Sequence, residues 1–174
     1  PPSEPELSPS PSATPTPAVM PSDNPSVAYV TETIEMDGKI TGYRLRSVKP
    51  EYQTAEIVII PSRVGSPESA MPIVEVSKEL LAGCTNATAV VVAEGADARM
   101  KDSLTKAITG SGINTITVSL DELGVVDFAN LTGLKNVNIV AGNGTEISSA
   151  YFMNNANIEH VTISGAIRKI GNEA

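Results

Sequence analysis

LKNVNI (residues 134–139) and IEHVTI (residues 158–163) are two copies of one pattern, LxxVxI, set 24 residues apart. In an extended chain successive side chains point to opposite faces, so the last two apolar residues of each copy share one face and the residue between them points the other way. Each copy therefore reads as a strand, and the pair reads as a repeat.

The paired apolar positions continue backwards from there. They are Val58 with Ile60, Val90 with Val92, Ile116 with Val118, Val137 with Ile139, and Val161 with Ile163. The intervals between first members are 32, 26, 21 and 24 residues. These lie around the leucine-rich-repeat period of about 20–29, with one long member. The expectation is an α/β repeat solenoid of leucine-rich-repeat type, with five short parallel strands on one face and short helical, 3-10 or irregular segments returning on the other.

The returning limbs are expected to run through PIVEV (72–76) to KELLAGCTN (78–86), through DELGVVDFANLTG (121–133), and through EISSAYFMNN (146–155). Each carries a few apolar residues and then a small or polar turn, which suits a short helical or 3-10 wall. Ahead of the array, VAYVTETIE (27–35) and KITGYRL (39–45) flank MDG (36–38), where Asp37 and Gly38 tolerate positive φ. That segment predicts a β-hairpin placed as a cap over the exposed first repeat.

Nine of the 13 prolines precede Ser26, interleaved with Ser, Thr and Ala and with no Lys or Arg. Such a stretch lacks the apolar content for a core and reads as an extended spacer. The expected organisation is a disordered Pro/Ser/Thr-rich linker over residues 1–26, a hairpin cap over 27–54 and a repeat array over 55–174. The last repeat is incomplete at Ala174, and continuation of the array is preferred over a half repeat that plugs the core.

From Val27 onward the chain holds 17 acids and 12 bases, a formal charge of −5. With no basic stripe, nucleic acid and anionic membrane are poor partners, and no apolar run is long enough to span a bilayer. The single cysteine, Cys84, cannot form an internal disulfide. The spacer composition itself points to a cell-surface or secreted setting.

IIPSRV (59–64), LAGCTNA (81–87), VVAEG (91–95) and IRKIGNEA (167–174) resemble the BspA-like leucine-rich repeats, whose pattern runs roughly VxIPxxVxxIgxxAFxgCxxL. KITGY (39–43) resembles the hairpin that often precedes such arrays. The resemblance spans about residues 29–174. The proline after the strand is present only as Pro61, the outer aromatic only as Phe128 and Phe152, and the Gly-Cys pair only as Gly83 and Cys84. The resemblance implies a non-catalytic surface module for adhesion or for binding host, matrix or cell-surface protein.

Catalytic readings find little support. Cys84 and His160 fall three rungs apart, too far for thiol activation at about 4.7 Å per rung. No GxSxG elbow accompanies a serine, and one His with one Cys makes no zinc site without carboxylates at matched positions. TGSG (109–112) and GNGT (142–145) read as turns, and GADARMKD (95–102) as a solvated loop without calcium-loop spacing. Asn86, Asn130 and Asn143 open Asn-X-Thr triplets, which matter only in a eukaryotic secretory setting. No cofactor or metal is expected.

The more informative residues lie between and beside the core pairs, on the open face of the sheet. Ile57, Ile59, Ala89 and Val91 make its first two rungs apolar. Thr115, Thr117, Asn136, Asn138, His160 and Thr162 make the last three hydrogen-bonding and uncharged. Solenoids bind along such faces, so the polar six are the candidate binding residues, with Ile57, Ile59 and Val91 as an apolar patch. In a second reading the hairpin covers the apolar end and water covers the rest. Other open readings are an accessory domain of a larger exported enzyme and a plain spacer. Direct carbohydrate binding is weaker, because the chain has no Trp and six aromatic residues in all.

Overall fold

Five apolar pairs at alternate positions can be buried together only if their strands lie side by side in one register, and that is the arrangement found. The structure, a computed structural model, describes residues 13–65, 70–142, 146–148 and 151–172. Its elements begin with β1 (Tyr29–Met36) and β2 (Lys39–Val48), followed by β3 (Ile57–Ile60), β4 (Arg63–Val64) and β5 (Met71–Val76). After β6 (Ala89–Val92) comes helix α1 (Lys101–Ile108), then β7 (Thr115–Ser119) and β8 (Asn136–Val140). The last strands are β9 (Glu146–Ile147), β10 (His160–Ser164) and β11 (Lys169–Ile170).

One sheet has the order β10-β8-β7-β6-β3, and every pairing in it is parallel. Val58 lies opposite Val90, Val90 opposite Ile116, Ile116 opposite Val137, and Val137 opposite Val161. The first four of that row are 0 % exposed, as are Ile60 and Ile139. All five apolar pairs thus fall on the strands and in the register expected of them.

The returning limbs differ from one another. Between β7 and β8 the chain forms 3-10 turns at Leu120–Val125 and Phe128–Asn130, where Leu123 and Phe128 are buried under the sheet, as expected for an outer wall. Between β3 and β6 the expectation of a helical wall fails, because PIVEV lies within β5. Strand β5 runs parallel beside β2 and pairs antiparallel with β4, giving a second, mixed sheet of order β1-β2-β5-β4. Two extra strands account for the long 32-residue interval. Gly42 permits this approach, since a Cβ there would sit 2.8 Å from the Pro72 carbonyl oxygen and 2.9 Å from Val74 Cγ1.

GADARMKD is not the solvated loop expected of it. Asp97 caps a 3-10 turn at Ala98–Met100 by accepting the Arg99 amide, and the turn runs straight into α1. Met100, Leu104, Ala107 and Ile108 recur at helical spacing and are buried, so the segment packs as an amphipathic wall. After β8 the limb begins as β9, which pairs with β11 rather than coiling into a helix. Asn143 and the end of the chain lie outside the described residues.

The hairpin itself is as expected. Asp37 (φ 52°) and Gly38 (φ 73°) make the two-residue turn between β1 and β2, the backbone twist that paired antiparallel strands favour. Arg44 links the sheet laterally, reaching Glu32 at 3.2 Å and Glu75 at 2.9 Å. The hairpin buries Tyr29, Leu45 and Val48 against β3 and its surroundings.

The packing predicts a graded response along one register row. Ile116→Ala empties a fully buried site and is expected to cost about 2–4 kcal/mol, whereas Val161→Ala, at a position 44 % exposed, is expected to cost less than about 1 kcal/mol. Urea unfolding of the two variants measures both. Equal losses would contradict the burial gradient.

Candidate functional site

Alternation along each strand fixes what the open face displays. Val90, Ile116 and Val137 point into the core, so their neighbours on the same strands point out. Register then lines these outward residues into two rows. One row is Ile57, Ala89, Thr115, Asn136 and His160, and the other is Ile59, Val91, Thr117, Asn138 and Thr162. The two rows bring together every residue expected at the site.

The polar part is a partly self-bonded ladder. Asn136 Nδ2 donates to Thr115 Oγ1 at 3.3 Å, and Thr115 Oγ1 in turn donates to Asn114 Oδ1 at 2.7 Å. One step along the strands, Asn138 Nδ2 donates to Thr117 Oγ1, also at 3.3 Å. These bonds orient the amides, so their carbonyl oxygens remain available as acceptors. His160 and Thr162 are exposed and make no side-chain hydrogen bond among the described residues. At one margin Lys135 Nζ meets Glu159 at 2.9 Å, and that hydrogen bond holds the Glu159 carboxyl below its usual range. The six candidate side chains themselves carry no fixed charge.

The apolar end is closed by something other than the hairpin strands alone. Ile57 stays 53 % exposed, while Ile59 and Val91 are half-buried. Met20, from the stretch read as a linker, is only 3 % exposed, and its sulfur accepts the Ile59 amide at 3.3 Å. The Tyr29 hydroxyl donates to the Ile59 carbonyl and lies 3.7 Å from the same sulfur. Ala18 is tied down as well, its amide donating to Thr54 Oγ1 at 2.9 Å. Residues 16–20 and Ser22 thereby form one wall of a mostly apolar groove of about 450 Å³ whose other wall is Glu56, Ile57 and Ile59. A single methionine in a proline-rich stretch gives no sequence signal for this packing.

The reactive groups are far from one another. Cys84 is buried just before β6, and burial pushes its thiol up. His160 is exposed on β10, three strand pairings away. Among the described residues no group of three or more His, Cys, Asp or Glu could hold a metal ion. No helix among them is long and apolar enough to cross a membrane.

No protein-family model matches the chain, and no curated protein does. Among solved structures, a leucine-rich cell surface protein from Faecalibacterium prausnitzii A2-165 is similar at 11 % identity and a TM-score of 0.25. That match covers 75 % of this chain and 46 % of the other, so the chain spans less than half the length of that protein.

Two chemical outcomes follow from the buried groups. Cys84 is expected to react with a thiol reagent such as DTNB far more slowly in the folded chain than in urea, and equal rates would place it at the surface. Burial also pushes the Tyr29 phenol well above its ordinary value. A group whose folded pKa exceeds its unfolded one stabilises below the unfolded value, here about 10, and loses that contribution as pH rises past it. Thermal stability is therefore expected to fall above about pH 10, with a shallower decline in Tyr29→Phe.

Proposed function

We propose that this chain is a non-catalytic protein-interaction module of a secreted or cell-surface protein, built as a leucine-rich-repeat-like solenoid. On this reading it presents the open face of its parallel sheet to a protein partner. The observation that carries it is the face itself: Thr115, Thr117, Asn136, Asn138, His160 and Thr162 in register, all polar and without Lys, Arg, Asp or Glu among them. Beside them lies the apolar patch of Ile57, Ile59 and Val91.

A sheet face combining apolar area with oriented donors and acceptors suits protein better than other partners. The net charge of −8 disfavours a polyanion. Without Trp, and with both Phe rings and Tyr29 packed inward, the face offers no aromatic platform for sugar rings. The separation of Cys84 from His160 by three strand pairings supports the non-catalytic part, since thiol and imidazole cannot activate each other across it. The proline-rich composition ahead of residue 16 supports display on a spacer.

Adhesion is the specific form of interaction proposed. The triple variant Thr117→Lys, Asn138→Lys, Thr162→Lys puts charge on three successive rungs without touching the core. Immobilised wild-type chain is expected to retain at least one member of a panel of extracellular matrix and cell-surface proteins, and the triple variant to lose it by at least tenfold. Unchanged binding by a folded triple variant would remove the face from the reading.

A further inference from the structure

In an extended polypeptide the main-chain groups of residues two apart point to the same side, repeating at about 6.6 Å, as side chains do along a strand. The open face carries one lane with that repeat. Its outward positions on β8 are Asn136, Asn138 and Val140, with Thr115 and Thr117 beside them on β7 and His160 and Thr162 on β10. Strand β8 lies inside the sheet, so neighbours on both sides shape this lane.

The two amides are held in one orientation. Thr115 Oγ1 gives its only proton to Asn114 Oδ1 at 2.7 Å, so the 3.3 Å contact with Asn136 is a donation by Nδ2. Asn138 Nδ2 donates to Thr117 Oγ1 in the same way, one step along the strands. A carboxamide has two N–H groups and one carbonyl oxygen. With one N–H given to threonine, each amide keeps Oδ1 and a second N–H, which nothing among the described residues takes.

We propose that Asn136 and Asn138 hold the main chain of an extended segment of the partner, laid along β8 over the open face. One residue of an extended chain turns its N–H and its C=O to the same side. An amide that keeps one acceptor and one donor complements that pair, and two such amides about 6.6 Å apart complement alternate residues of the segment. The match is one of partial charges. Fixed carbonyl oxygens meet the positive N–H ends, and the six face residues include no Lys, Arg, Asp or Glu to favour a charged side chain instead. Val140, 39 % exposed, follows as an apolar contact at one end of the lane. Because every sequence has the same main chain, recognition tolerates side-chain changes and depends on alternate amides. The proposal rests on the protein-interaction reading above and names the part of the partner that the face holds.

The test is an array of unrelated capped peptides of about a dozen residues, probed with the labelled full chain, then titration of one binder by fluorescence anisotropy. Expected are saturable binding to peptides of differing sequence and less than about threefold change when any one side chain of the binder becomes alanine. N-methylation of two alternate amides is expected to weaken binding at least tenfold, and N-methylation of the intervening pair far less. Asn136→Leu with Asn138→Leu is expected to abolish binding, and Asn138→Leu alone to weaken it at least tenfold should circular dichroism show the double variant unfolded. Binding of no peptide, sensitivity to alanine with indifference to N-methylation, or full binding by a folded leucine variant would each overturn the proposal. If a matrix or cell-surface protein is still retained by the wild-type chain and lost by the lysine triple variant, the interaction reading stands without it.

Discussion

Everything in this molecule depends on one register. Because Val58, Val90, Ile116, Val137 and Val161 stand in a single row, each strand can be parallel to the last, turn the same two positions to one side of the sheet and their neighbours to the other. A slip of one residue in any strand would exchange Ile116 and Val118 for Thr115 and Thr117, placing hydroxyls in the core and large apolar side chains in water. The stiffness of the candidate face is therefore inherited. Thr115, Thr117, Asn136 and Asn138 are aligned because the residues between them cannot be moved.

The β3 edge of this sheet has a finish of its own, which sets much of the rest. The β3 end is finished by a hairpin and by Met20, with a tyrosine hydroxyl and a thioether sulfur taking the place of backbone partners. Both are weaker acceptor or donor arrangements than a strand, but they are buried and shaped to the edge. The apolar patch of Ile57, Ile59 and Val91 lies next to this closure, and Ile57 and Ile59 share a groove with residues of the 16–22 stretch. The polar ladder leads away from it toward β10, where Val161 loses the cover its equivalents have.

Those features were unequally legible in the sequence. The five strands could be read because each repeats two apolar positions two residues apart, and because the spacing recurs. The face followed by alternation alone. Strand β5 could not be read as a sheet element, since PIVEV is as consistent with a returning limb, and what decides is Gly42 admitting it beside β2. Helix α1 was missed although Met100, Leu104, Ala107 and Ile108 carry the helical spacing, because the acids and glycine before it suggest a loop. Met20 and the two-residue pairing of β9 with β11 left no local trace at all. Both are products of contacts between residues far apart in the chain.

Native-state amide hydrogen exchange tests the register most directly. The account predicts that amides throughout β7 and β8 exchange slowly, that Ile59 is protected by Met20, and that β10 alternates, with His160 and Thr162 protected while Val161 and Ile163 exchange quickly. Uniform protection along β10, the opposite phase of alternation, or unprotected amides at Thr115, Thr117, Asn136 and Asn138 would contradict it.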